Sequence, residues 1–241
     1  MRNGISCLAS IGALLMLFAG TSAARDMMVA EWAFDEGTGT HAGDESSHNH
    51  SGTLVSGSDP SGAGMWTDDG AGGKALKLNG IDEYVACGSD AELSLAGAFT
   101  IQGWVKPAAD CPKDAALIGK LGQGYSGYDF LVSADYAGFR YGNSAGEIES
   151  ISFGQRPGPG VWSFLAITKE GRTVRTYFNG APDKTFTMKD ASIAPNDRPL
   201  LIGFNQWNDR HYKGLIANVR IYNYARTAED LLAEYRAASA R

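Results

Sequence analysis

From residue 28 onward the chain repeats one device: short stretches in which apolar and polar residues alternate, each closed by glycine, asparagine, aspartate or proline. Alternation of period two marks a half-buried β-strand, and turn residues at such short intervals mark antiparallel pairing. About a dozen short strands follow from this pattern. Residues 99–106 place Phe99, Ile101, Gly103 and Val105 on one face and Thr100, Gln102, Trp104 and Lys106 on the other, with Trp104 the odd member of a polar face. Residues 161–169 begin apolar on both faces, as in a central strand covered on two sides. Residues 172–178 run into Asn179-Gly180, a pair that tolerates the positive φ of a tight hairpin. The strand at 214–223 is the last, and the spacing then becomes helical. Thr227 caps the helix, Asp230 at its third position approximates a capping box, and Leu231, Leu232 and Tyr235 form its apolar stripe. The expected fold is all-β: two antiparallel sheets face to face, closed by one short C-terminal helix.

Residues 1–23 form a separate unit, with Arg2 as the one charge, an apolar run over 11–20 and the small-residue exit Thr21-Ser22-Ala23-Ala24. That run is too short to cross a bilayer and ends in a cleavage pattern, so 1–23 is expected to be a secretory signal peptide. The mature chain, 24–241, is then a single exported domain, extracellular or periplasmic. Cys7 precedes the apolar core and does not read as a lipid anchor. The whole chain carries 21 basic and 27 acidic side chains, net −6, with no basic run, which argues against nucleic acid and anionic membrane as partners. Cys87 and Cys111 remain, an even pair in an oxidising compartment that flanks strand 99–106. A disulfide between them is expected; it would close a loop of about 24 residues, worth about 3 kcal/mol. The alternative is a buried Cys87 and an unpaired loop Cys111.

The order of motifs is specific. Trp32-Ala33-Phe34-Asp35-Glu36-Gly37-Thr38-Gly39-Thr40 is followed by Asp44-Glu45-Ser46-Ser47-His48-Asn49-His50-Ser51-Gly52-Thr53-Leu54. Then come Gly72-Gly73-Lys74-Ala75-Leu76-Lys77-Leu78-Asn79-Gly80, Tyr84-Val85, the 99–107 strand, Trp162, Tyr177-Phe178-Asn179-Gly180, Ile202-Gly203 and the closing strand. In this order the chain resembles the laminin-G-like jelly-roll domain (laminin G type 3) of the concanavalin A-like lectin/glucanase group. The resemblance implies a jelly-roll β-sandwich, with Trp32, Trp66, Trp104 and Trp162 as scaffold. It also implies one structural Ca²⁺, held by the loop aspartate, loop carbonyls and acids of the last strand. The corresponding residues are Asp44, Asn218 and Asp35, but Ala217 and Asn218 stand where relatives keep acids, and calcium affinity falls with carboxylate count. The plainer reading is that Asp44 caps its own turn. His48 and His50, with His41 nearby, suggest a transition metal, yet no ordered third ligand follows in the loop, so they read as solvated histidines.

Catalytic motifs are weak. Glucanases of this group set carboxylates on alternate residues of one strand, and the nearest string here, Glu147-Ile148-Glu149-Ser150-Ile151, lacks the third acid. The lyase branch needs a Gln-x-His element; Arg172, Arg175 and Tyr177 are present but that element is not. A non-catalytic module binding an extracellular glycan or protein is the leading expectation, with a structural interaction module and a divergent enzyme as alternatives. Aromatic faces stack on sugars while amides and charges bond hydroxyls. Two loops have that composition, 122–129 with Tyr125 and Tyr128, and 205–212 with Asn205, Trp207, Arg210 and Tyr212. Trp207 and Tyr212 covering the end of the sandwich is an equal alternative.

Overall fold

The computed structural model describes residues 27–122 and 124–239. The segment expected to be a signal peptide, 1–23, and Cys7 lie outside the described residues. The strands are β1 (Met28–Trp32), β2 (His41–Ala42), β3 (Gly52–Val55), β4 (Trp66–Asp68), β5 (Lys74–Asn79) and β6 (Tyr84–Ala86). They continue with β7 (Phe99–Pro107), β8 (Ala116–Gly119), β9 (Tyr128–Val132), β10 (Ala137–Gly142), β11 (Ile148–Ser152) and β12 (Ser163–Glu170). The last are β13 (Thr173–Phe178), β14 (Ala181–Thr187), β15 (Leu201–Ile202), β16 (Phe204–Asn205), β17 (Arg210–His211) and β18 (Lys213–Tyr222), before helix α1 (Ala228–Ser239).

Two eight-stranded antiparallel sheets form a jelly-roll sandwich. One runs β14-β13-β12-β7-β18-β5-β4 with β1 also on β18; the other runs β11-β10-β9-β8-β15-β6-β3-β2. The faces of β7 divide as its alternation predicts. Phe99, Ile101 and Val105 are fully buried between the sheets. Gly103 faces the same way because a Cβ there would stand 3.2 Å from both Leu117 and Val219. On the outer face, Phe164, Ala166 and Tyr177 take Leu231 of α1, with Trp104 and Tyr235 packed around them. Thr227 builds the expected capping box: its Oγ1 accepts from Asp230 N at 3.1 Å while Asp230 Oδ2 accepts from Thr227 N at 3.2 Å.

Two strands differ from their expected lengths. The strand expected from Val161 begins at Ser163, because the Gly158-Pro159-Gly160 turn, with Gly160 at φ 68°, delivers Val161 to solvent. The strand expected over 200–204 is cut at Gly203, whose φ of 84° turns the chain out of the sheet so that β16 pairs with β17 instead.

The expected disulfide is not formed: Cys87 and Cys111 are both free and buried. They sit against different parts of the sandwich. Cys87 follows β6, its NH on Leu200 O and its sulfur beside Gly52 of β3. Cys111 is in the loop after β7, its Sγ near Lys213 N and Val132 O. Burial pushes the Cys87 thiol well up and that of Cys111 to about 11, so both stay protonated and unreactive.

Under α1 lies a buried polar cluster. Glu234 accepts from Arg220, Arg226 and Gln102 Nε2, and Arg220 also pairs with Glu31 of β1. Burial alone would raise the Glu234 carboxyl, but Arg220 and Arg226 outweigh it and hold it below its ordinary value of 4.5. The stability this carboxylate contributes is complete above pH 4.5 and is lost as the pH falls through its lower folded value. Glu234→Gln is expected to cost about 2 kcal/mol at neutral pH, less than the full loss of a buried pair because Arg220 keeps Glu31. The gap in melting temperature between variant and wild type should shrink as pH drops below 4.5; a gap independent of pH would contradict this role. For the thiols, Ellman's reagent should modify Cys87 and Cys111 only after denaturation, and a bridged pair in the purified protein would refute their separation.

Candidate functional site

The two sugar-binding candidate loops meet at one end of the sandwich. Asn196 gathers the first, donating Nδ2 to the carbonyls of Lys120 and Ser126 at 2.8 Å each. Lys120 is buried beneath it, its ammonium held by Asn196 and Arg198 carbonyls and pulled below its usual range by burial. Tyr125 adopts φ 57° at the tip, and the loop seats on Gly142, where any Cβ would strike the Tyr125 carbonyl. Asn205 organises the second loop from within the core: its Nδ2 donates to Asp114 O at 3.1 Å and its Oδ1 accepts from Trp207 N at 3.0 Å. Phe204 and His211 stack at 4.1 Å to brace the β16–β17 hairpin. Arg198 ties the two loops by donating to Gln206 Oε1 at 2.7 Å.

This framework brings Tyr125 and Trp207 together, ring centroids 5.3 Å apart at 35°. Tyr125 is 43% exposed and Trp207 37%, unusual for such large apolar side chains. Arg210 is exposed on the same hairpin. The other candidates serve the scaffold. Tyr128 and Tyr212 are fully buried, their hydroxyls donating to Leu93 O at 2.7 Å and Leu215 O at 3.3 Å, and burial raises both phenols well above their usual range. These two tyrosines and Asn205 position the platform rather than present a surface to a ligand.

A second aromatic site lies on the outer face of the first sheet. Trp104 and Trp162, expected in the scaffold core, are half-buried and line a groove of about 310 Å³ with Tyr235, Asn218 and Asp69. Trp32 and Trp66 are buried as expected. The signal for the groove was the presence of Trp104 on an otherwise polar strand face.

The residues that the resemblance implies for Ca²⁺ have other tasks. Asp44 Oδ1 accepts from Glu31 N and Ser46 N at 2.9 Å, and Oδ2 accepts from Ser46 Oγ and His50 N at 2.7 Å. Four protein donors thus fill its two oxygens, the arrangement of a turn-capping aspartate. Asn218 occupies a β-bulge at φ 49° and faces the groove, while Asp35 is exposed. Calcium needs six to eight oxygens, and this donor set does not fit it. Among the described residues, the metal-ligating side chains that do converge are His48, His50 and Glu92.

The carboxylates and Arg172 considered for catalysis are also engaged, while Arg175 is exposed. Asn143 Nδ2 donates to Glu149 at 3.2 Å, Lys189 pairs with Glu147 at 3.3 Å, and Arg172 donates to Met188 O at 2.7 Å. Tyr177 is buried under α1.

Known proteins share this architecture. Human pappalysin-1 is 25% identical over 179 residues, covering 67% of this chain and 11% of that protein. The binding domain of Paraclostridial Mosquitocidal Protein 1 superposes with a TM-score of 0.69 at 15% identity, over 89% of this chain and 53% of that one. Domain 4 of a GH43 extracellular arabinanase from Geobacillus stearothermophilus, in complex with arabinotriose, gives 0.62 at 18% identity, over 86% of this chain and 97% of that domain. A botulinum neurotoxin type C structure, whose cell entry depends on interaction with two ganglioside molecules, gives 0.68 at 15% identity, over 90% and 52%. The chain thus spans about half the length of the toxin chains and about a tenth of pappalysin-1. A laminin G family model matches residues 79–232, more than half of the chain, and with the two-sheet sandwich in place the protein belongs to the concanavalin A-like lectin/glucanases superfamily.

Proposed function

We propose that this protein is an exported, non-catalytic binding module that takes an extracellular carbohydrate on the Tyr125–Trp207 platform. The observation that carries the reading is the convergence of two aromatic rings, from loops about eighty residues apart in sequence, into an exposed pair on a rigid base. Such a pair offers an apolar face to the C–H side of a sugar ring, and Arg210 and Gln206 beside it supply donors and acceptors for hydroxyls. The arabinotriose complex of one structural neighbour and the dependence of another's cell entry on ganglioside molecules support the ligand class. The groove of Trp104, Trp162 and Tyr235 supports a second reading, a protein partner, because tryptophan and tyrosine in a concave site are what protein interfaces use as anchors.

On a glycan array, wild-type protein is expected to give a signal that Trp207→Ala or Tyr125→Ala lowers by about 2 kcal/mol, roughly thirtyfold in Kd. Trp104→Ala should leave it unchanged. A glycan signal insensitive to both platform variants would sink the platform, and no signal with any glycan would favour the protein partner.

A further inference from the structure

We propose that His48, His50 and Glu92 form a binding site for a divalent transition-metal ion, with zinc the best match. The site does not depend on the carbohydrate reading. His48 Nδ1 lies 2.7 Å and His50 Nε2 3.3 Å from the same oxygen, Glu92 Oε2, and the three ligand atoms all fall within 4.8 Å of one another. Two imidazoles and one carboxylate are borderline donors that suit zinc, whereas calcium and magnesium select all-oxygen sets. Zinc holds nitrogen and oxygen at about 2.0–2.2 Å, which sets tetrahedral ligand atoms roughly 3.3 Å apart. The His50–Glu92 separation already has that value. The His48–Glu92 contact is a hydrogen bond that must open by roughly 0.6 Å to admit the ion. Glu92 can supply that movement, since its side chain is 52% exposed.

The surroundings pre-organise the ligands. Asn49, at φ 61°, turns the backbone between the histidines, and their rings lie nearly parallel at 6.0 Å and 16°. His50 is buried; its NH is held by Asp44 and its carbonyl accepts Trp32 Nε1 at 2.9 Å. His48 NH donates to Ser46 Oγ at 3.2 Å. Glu92 rides on a short turn of 3-10 helix, Ala91–Ser94, whose N-cap Asp90 accepts Glu92 N at 3.0 Å, and the buried Tyr128 hydroxyl holds Leu93 O beneath it. Asp44 and Tyr128 thus acquire a supporting role for the metal ligands. A bound ion would clamp the Asp44 loop to the 3-10 turn, joining ligands 42 and 44 residues apart, and solvent reaching Glu92 would leave one coordination position exchangeable.

The test uses tag-free protein stripped with chelator and titrated with zinc chloride, read by calorimetry and by thermal melting. One zinc per chain and a higher melting temperature are expected. Glu92→Gln, at an exposed position, should keep the metal-free melting temperature but weaken zinc at least about tenfold and remove most of the shift. His48→Asn should do the same and covers the case in which one variant folds poorly. No heat and no shift at millimolar zinc, equal zinc affinity in wild type and both variants, or an equal shift with calcium chloride would each overturn the site.

Discussion

The sandwich depends on one break in one strand. β18 carries β7 along one edge, and along the other it carries β5 over Lys213–Ile216 and then β1 over Val219–Tyr222. The exchange of partner happens where the register slips between Ala217 and Arg220, with Asn218 in the left-handed region and its NH on Ala33 O. A regular strand would need either β5 or β1 to leave an edge of hydrogen-bonding groups unpaired. The bulge lets one strand satisfy both. It also explains the residue types: asparagine tolerates positive φ, and a small alanine beside it leaves the floor of the Trp104–Trp162 groove open. Residues that look like a degraded calcium motif are, in this fold, the ones a bulge selects.

The same strand explains the polar layer beneath α1. Beyond the bulge, Arg220 rises from the outer face of β18 into a region that the helix must cover, and Glu234 comes down from the helix to meet it. Arg226 and Gln102 complete the pairing, so the buried charges of strand, helix and connecting loop neutralise one another. Thr100 is drawn in as well, its hydroxyl donating to Tyr224 O and accepting from Arg226 N. The polar half of β7 is therefore covered, and the apolar patch of Phe164, Ala166 and Tyr177 fixes where along the sheet the helix settles.

The fold was legible wherever neighbours in sequence are neighbours in space. The alternation of β7, the Asn179-Gly180 hairpin and the Thr227 capping box are local, and the structure contains all three. Less legible was anything decided by which loops meet. Tyr128 and Tyr212 have the composition of a binding loop, yet their hydroxyls find backbone carbonyls inside, as buried tyrosines must. The cysteine pair was read from parity and compartment, which say nothing of distance; Cys87 and Cys111 belong to different corners of the sandwich. Glu92 was invisible as a companion of His48 and His50 because the chain reaches it only after forming four more strands. Trp104 was half legible: its register put it on a polar face, but the resemblance assigned it to the scaffold core, and only the packing of α1 shows it lining a groove.

The pairing of β1 with β18 joins the first strand to the last, with Met28 opposite Tyr222. Tension applied across the two ends of the domain would pull on Met28 and on the segment beyond Tyr222, the adjacent ends of antiparallel strands. Such a load opens the hydrogen bonds one after another, as a zipper, instead of shearing them together, so α1 and β1 would peel away under small force while the sheets behind them stayed closed. Placing the first strand and the last side by side at one edge makes this part of the sandwich poorly suited to bearing a load.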